Sequence, residues 1–262
     1  MTSTMTQKVK TKDIWRFLAW TFGWTWGLWG AGILLKSLWP DNPLTNVMFL
    51  IGSFGPMAAS LIVLKKKSLK DMASFLFSGR KGAWLYLLIY GGALTLTAAL
   101  AASGRLADGA LANLPLSIII VALTGGGNEE PGWRGFLQPA LETRFSFPLA
   151  TLIVGAVWAI WHVPLWFFDR GESSFPLFFV SCLIFAVWFA GLYKKTQSLL
   201  VCILFHALIN TVPESFIGIG EAMGLGDFSQ INSLFYLGGI AIMTLYSIYL
   251  WYQADRKQQP HD

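Results

Sequence analysis

Charge is what this sequence has least of. Only 13% of its 262 residues are Asp, Glu, Lys or Arg, against about 25% in a soluble domain. So few charges cannot cover a water-exposed surface, which excludes an ordinary soluble globular protein. Cysteine is scarce as well: Cys182 and Cys202 both sit inside apolar runs. Their spacing suits neither a disulfide framework nor a metal site, and both read as small packing residues. There are three histidines, and no H-E-x-x-H pair, the helical zinc-and-base motif of many metalloproteases. Internal repeats, low-complexity tracts and a separate soluble domain are absent too.

What the chain has is apolar length. It is 55% hydrophobic with thirteen Trp and twenty Phe, and its mean hydropathy is +0.55. A helix crossing the hydrocarbon layer needs roughly 20 apolar residues. Eight candidate spans meet or approach this: about 14–38, 45–64, 82–102, 114–143, 147–168, 174–193, 197–213 and 230–252. Residues 68–78 form a weakly amphipathic stretch suited to the interface. The predicted fold is all-α: a polytopic transmembrane helical bundle, one integral membrane domain over residues 1–262. The basic N-terminus followed by an apolar stretch resembles a signal peptide. That stretch, Ile14 to Trp39, is too long for an h-region and lacks a clear A-x-A site, so it reads as a retained first span.

The net charge of +5 could suggest nucleic acid, but the placement of the charges gives another reason for it. Lys8, Lys10, Lys12, Arg16, Lys65, Lys66, Lys67, Lys70, Arg80, Lys81, Arg144, Lys194, Lys195, Arg256 and Lys257 fall on one side of an eight-span chain. Lys36, Arg105 and Arg170 fall on the other, and Arg134 lies inside a span. By the positive-inside rule both termini are cytoplasmic. The positive charge is therefore a topology signal, and nucleic acid drops out as a partner. Membrane lipid takes its place.

Span four carries the polar cluster, GGGNEEPGWRG. A charge at mid-span costs about 2.5–3.5 kcal/mol, so Glu129, Glu130 and Arg134 unpaired would cost roughly 8–10 kcal/mol together. Glu130 and Arg134, four residues apart, can face each other on a helix. Glu129 points about 100° away and has no obvious partner there. Gly125, Gly126 and Gly127 weaken the helix, and Pro131 removes an N–H. Asn128 is placed to cap a restarted helix. Irregular backbone at this depth needs protein or a water-filled cavity beside it, so a hydrated pocket is expected.

His261 lies in the polar tail. His162 is in span five and His206 in span seven, with Asn210 one turn after His206 on the same face. By rise per residue His162 stands about 22 Å and His206 about 14 Å from the inner ends of their spans, depths at which both can meet Glu129. A carboxylate among apolar neighbours can act as general base on water, a histidine can share the proton, and a second histidine with an amide can donate to an oxyanion. No serine or cysteine lies beside either histidine in sequence, which favours attack by water. One Glu and two His also make a plausible zinc set. The residues alone leave the two chemistries open.

At this point the sequence resembles a known family. Glu129-Glu130-x-x-x-Arg134, then Trp158-x-x-x-His162, then His206-x-x-x-Asn210, in order on three helices, look like the three motifs of the CPBP family. This family of intramembrane proteases includes the type II CAAX prenyl endopeptidases and the ABI proteins. The resemblance covers about residues 114–213. Trp158 departs conservatively from the Phe often found there, and EEPGWRG looks like the bacterial branch. The resemblance implies an intramembrane glutamic-type endopeptidase, a hydrolase acting on a membrane-associated peptide or lipidated, CAAX-type protein in the bacterial cytoplasmic membrane. Glu129 and His162 would activate water, His206 and Asn210 would bind the oxyanion, and Glu130 and Arg134 would support the site. It favours a metal-free mechanism with no cofactor over zinc held by Glu129, His162 and His206.

Other residues have blander readings. Trp133, Phe136, Trp158 and Trp161 read as packing, Asp169, Arg170 and Glu172 as a solvated loop, and Pro164 and Pro213 as helix bends or ends. Two further functions compete: a non-proteolytic membrane immunity or scaffold protein, and a proton-coupled transporter. The transporter would favour inverted repeats and paired broken helices, whereas this sequence shows one broken segment.

Overall fold

A computed structural model describes residues 9–66, 68–168, 174–220 and 229–256. Lys8, Lys67, Asp169, Arg170, Glu172, Lys257 and His261 lie outside the described residues, as does the side chain of Arg256. Among the described residues every extended element is helical; one isolated antiparallel bridge joins Leu106 and Phe216. The all-α expectation is borne out.

Helix α1 spans Thr11–Leu38. The second expected span is broken into α2 (Leu44–Ser53) and α3 (Gly55–Val63), bent by 41°. Pro56 lacks the N–H a continuous helix would need at this point. The bend seats against α1: Thr25 Oγ1 donates to the Gly52 carbonyl at 2.7 Å. A β-carbon on Gly55 would stand 2.1 Å from Thr25 Oγ1, so only glycine allows this approach. The expected interfacial stretch is α4 (Leu69–Leu76), which buries none of its residues. Ser68 caps it, accepting from the Asp71 amide at 3.1 Å, as a helix N-cap should.

Helices α5 (Ala83–Ala101) and α6 (Ala110–Thr124) follow. The polar segment then runs through a 3₁₀ turn (Gly127–Glu129), α7 (Glu130–Gly132), a π-helical stretch (Trp133–Leu137) and α8 (Gln138–Glu142). The irregularity expected at the three glycines is therefore present, and it extends further than expected. Pro139 cannot give the N–H that would bond to the Gly135 carbonyl in a regular α-helix, and just before it the Gln138 amide bonds back to Trp133 instead. Helix α9 (Phe147–Trp161) stops at His162 and becomes a 3₁₀ run, Val163–Phe168, containing Pro164. Helix α10 (Phe175–Thr196) leads to α11 (Leu199–Thr211), which ends two residues before Pro213, and α12 (Ser233–Arg256) closes the bundle.

All eight expected spans coincide with helices. Five stretches are long and apolar enough to cross a membrane: Ala83–Ala101, Ala110–Glu142, Phe147–Phe167, Phe175–Thr196 and Ser233–Ala254. The bent pair α2–α3 makes a sixth if it counts as one span. Helix α1 falls outside this group because Trp, Gly and Thr lower its hydropathy, and α11 because it is short. The exterior is that of a multi-pass integral membrane protein. Leu88, Ile242 and Leu245 are 72%, 68% and 67% exposed, whereas Glu130 and Arg134 are 0% exposed. A soluble fold would hide the former group and solvate the latter.

The core forms where α10 packs against α9 and α12, and α11 against α5 and α6. The helix ends that carry the basic residues meet one another. Arg144 donates to the Val9 carbonyl and Thr11, Arg80 reaches the Lys195 carbonyl, and Lys194 pairs with Glu142 at 2.8 Å.

Candidate active site

The break after α6 makes the site possible. Gly126 has φ +124°, a conformation that glycine adopts without strain. Its amide donates to Asn128 Oδ1 at 3.1 Å, and Asn128 Nδ2 donates to Ser53 Oγ at 3.1 Å. Asn128 thus fastens the loop to α2 rather than capping a helix, contrary to expectation. The turn that follows buries Glu129 and Glu130 side by side.

The two carboxylates have different partners. Glu129 Oε2 accepts from Trp133 Nε1 at 3.1 Å and from Trp158 Nε1 at 2.6 Å. Its Oε1 lies 3.9 Å from His162 Nε2. That is too long for a hydrogen bond and short enough for one water to touch both atoms. His162 Nδ1 lies 2.9 Å from the Trp158 carbonyl. A carbonyl only accepts, so Nδ1 carries the proton and the neutral ring presents a lone pair on Nε2. The structure therefore leaves Glu129 Oε1 and His162 Nε2 as a facing pair of acceptors.

Glu130 Oε1 receives Arg134 Nη1 at 3.2 Å and His206 Nδ1 at 2.8 Å. The expected ion pair with Arg134 is present, and it also extends to His206 on α11. The Arg134 guanidinium lies over Phe189 and Trp158, 4.5 Å and 5.2 Å from their ring centroids, which suits a buried planar cation.

Asn210 Nδ2 donates to the Gly125 carbonyl at 2.9 Å. A β-carbon on Gly126 would stand 2.6 Å from His206 Nε2 and 2.8 Å from Asn210 Nδ2. Both nitrogens therefore converge on the space beside this glycine. They open, with Glu129, His162 and Trp158, into a cavity of about 320 Å³ whose other walls include Trp29, Phe49, Trp161, Trp166 and Phe178. The expected pocket exists, and it brings together Glu129, His162, His206 and Asn210 from three separate stretches of sequence.

Two expectations need correction. Trp158 and Trp133 do more than pack, since both indoles hydrogen-bond to Glu129. Glu129 is not without a partner on its own segment, because Trp133 stands four residues after it. Trp161 does pack, against Trp29 and Trp133 at 5.0 and 5.8 Å between centroids. Glu129, His162 and His206 of the alternative zinc set all border this cavity, and among the described residues no three His, Cys, Asp or Glu side chains are grouped to hold a metal ion. His206 instead commits Nδ1 to Glu130.

Residues 111–212 match the family model described as Type II CAAX prenyl endopeptidase Rce1-like. The CAAX prenyl protease 2 of Methanococcus maripaludis is 31% identical over 105 residues, which make up 36% of this chain and 38% of that protein. The match thus spans well under half of that curated relative's length. Both findings are likenesses to CAAX prenyl proteases over the core, and the matched segment holds all seven residues of the three motifs.

Proposed function

We propose, from this family likeness and the geometry of the cavity, that the protein is an intramembrane endopeptidase. It hydrolyses a peptide bond in a membrane-associated substrate of the prenylated CAAX type. The observation that carries the reading is the 3.9 Å gap between Glu129 Oε1 and His162 Nε2.

A water in that gap donates one hydrogen to each acceptor. Its lone pairs then face the open cavity, where a scissile carbonyl can enter. As oxygen attacks the carbonyl carbon, Glu129 takes the proton as general base. The two indoles hold the other carboxylate oxygen, so the base does not swing out of line. The negative charge that develops on the carbonyl oxygen is met by Asn210 Nδ2 and His206 Nε2, which supply the electrostatic stabilisation that acyl transfer needs. With Nδ1 donating to Glu130, Nε2 donates when the ring carries both protons, and the Glu130 carboxylate stabilises that charge. Glu130 therefore sets whether His206 can serve, a positioning role that Arg134 shares by holding the same oxygen. The proton on Glu129 finally passes to the leaving amine. The aromatic walls suit an apolar or lipidated flank of the substrate. No metal takes part in this scheme.

The test is cleavage of a farnesylated CAAX-type peptide, beside its unprenylated counterpart, by the purified full-length protein in detergent. Cleavage lost in Glu129→Gln at unchanged thermal stability supports the assignment. Cleavage at the wild-type rate by that variant overturns it. A preference for the farnesylated peptide identifies the lipid as part of what is recognised.

A further inference from the structure

A second cavity, of about 410 Å³, lies at the basic end of the bundle, away from the proposed active site. Its walls include Arg80, Lys81, Lys195, Ala83, Tyr86 and Ala254. Three cations face one concavity, and no carboxylate lines it among the described residues. Arg80 is fixed in place: its amide donates to the Thr196 carbonyl at 2.8 Å and its Nη1 to the Lys195 carbonyl at 3.2 Å. Lys195 lies 5.6 Å from the Tyr86 ring centroid. Helix α5 begins at this pocket after Gly82, in the left-handed conformation with no side-chain cap. The positive end of its dipole therefore adds to the three side chains.

The surroundings are those of a membrane surface. Trp84, Leu85 and Tyr252, beside the pocket, are 53%, 57% and 53% exposed. Exposed Trp and Tyr at helix ends mark the headgroup level. The positive-inside bias accounts for basic residues on this side, but it does not require three of them around one hollow between α5, α10 and α12.

We infer that this pocket binds a phosphate group, and that the group belongs to the headgroup of an anionic membrane phospholipid. Basic pockets between transmembrane helices recognise such headgroups. The Arg80 guanidinium and the two ammonium groups neutralise the phosphate, while Ala83, Tyr86 and Ala254 contact the glycerol end of the acyl chains. The inference stands independently of the proposed protease activity.

The experiment is native mass spectrometry of the full-length protein in detergent. The protein is titrated separately with phosphatidylglycerol and phosphatidylcholine, then with phosphatidylglycerol in the presence of inorganic phosphate. One phosphatidylglycerol is expected to bind at least tenfold more tightly than phosphatidylcholine. Lys81 makes no hydrogen bond or ion pair among the described residues, so Lys81→Gln leaves the fold intact; it should weaken phosphatidylglycerol about fivefold, the effect of one cation near a membrane surface. The triple variant Arg80→Gln, Lys81→Gln, Lys195→Gln should abolish the preference, and Lys10→Gln, outside the pocket's lining, should keep it. Failure of millimolar inorganic phosphate to displace the lipid assigns the site to the headgroup; displacement assigns it to free phosphate and overturns the lipid part of the inference. Equal binding of both lipids, or a full preference surviving in Lys81→Gln and the triple variant, overturns the site.

Discussion

Oxygen Oε2 of Glu129 accepts two indole N–H groups, and the shorter bond, 2.6 Å, comes from Trp158. The same Trp158 holds His162 through its carbonyl and stands edge-on to the His206 ring at 5.4 Å. One residue thus touches Glu129, His162 and His206, and its ring also lies 5.2 Å from the Arg134 guanidinium. Trp158→Phe keeps the ring and removes the N–H. Loss of a hydrogen bond to a buried charge is expected to cost about 1.5–3 kcal/mol, read as a lower melting temperature. The fall in kcat is expected to be about tenfold or more with KM little changed, since Glu129 loses its alignment rather than its contact with substrate; a melting temperature and kinetics both like wild type would refute the role. Glu130→Gln tests a different link. It keeps the shape of the side chain and removes the charge shared by Arg134 and His206. Activity on the CAAX-type peptide is expected to drop by about 10²-fold or more, the scale set by losing one oxyanion donor. Full activity in this variant would mean that His206 does not depend on Glu130. The sequence made Glu129, His162, His206 and Asn210 legible because polar residues at membrane depth are few. It hid the indole contacts because a Trp in an apolar run looks the same whether its N–H is used or not. The i, i+4 spacing of Glu129 and Trp133 was the one available signal.

At the scale of elements, the sequence showed where helices exist better than where they break. Span 45–64 reads as continuous because hydropathy averages over a window, whereas Pro164 in span 147–168 reads as a bend or end, as the 3₁₀ run there bears out. Pro56 and Pro164 act locally, and each ends the regular α-helical run near it. Three glycines in a row were legible as a break because no apolar helix needs them. The π-helical turn at Trp133–Leu137 was not, since it follows from how Pro139 and its neighbours share a few amides. Gly126 is the hinge of this region. Gly126→Ala would force a side chain into φ +124° and place a β-carbon against His206 and Asn210. Strained backbone of this kind costs about 1–3 kcal/mol. A lower melting temperature is expected together with loss of peptide cleavage, whereas Gly92→Ala, on α5 with open space around its β-carbon position, should leave both unchanged. Equal behaviour of the two alanine variants would remove Gly126 from the site.

At the scale of the whole molecule, the arrangement is inverted relative to a soluble protein. Apolar side chains form the exterior, and the carboxylates, the guanidinium and the two histidines gather inside. That inversion was legible from composition alone, because 13% charge cannot dress a water-facing surface. Orientation is a finer matter. The loops rich in Lys and Arg converge at one end of the bundle, and the loop holding Arg105 meets the Phe216–Ile217 turn at the other. By the positive-inside rule the first end is expected to face the cytoplasm. Single-cysteine labelling in intact cells tests this directly. Cys182 and Cys202 are 1% and 0% exposed, so the native background is low without altering the fold. Ser78→Cys, in the exposed loop after α4, should react with a membrane-impermeant maleimide only after the cells are opened. Asp108→Cys, in the exposed loop before α6, should react in intact cells. The reverse pattern would invert the orientation and move the basic pocket to the outer face. Labelling of both sites from one side would mean an odd number of crossings between them, α5 included, does not occur. In the predicted orientation α5 carries the chain outward from the basic end, so the cationic pocket at its start meets the inner leaflet, where anionic headgroups give a basic cluster its greatest electrostatic attraction.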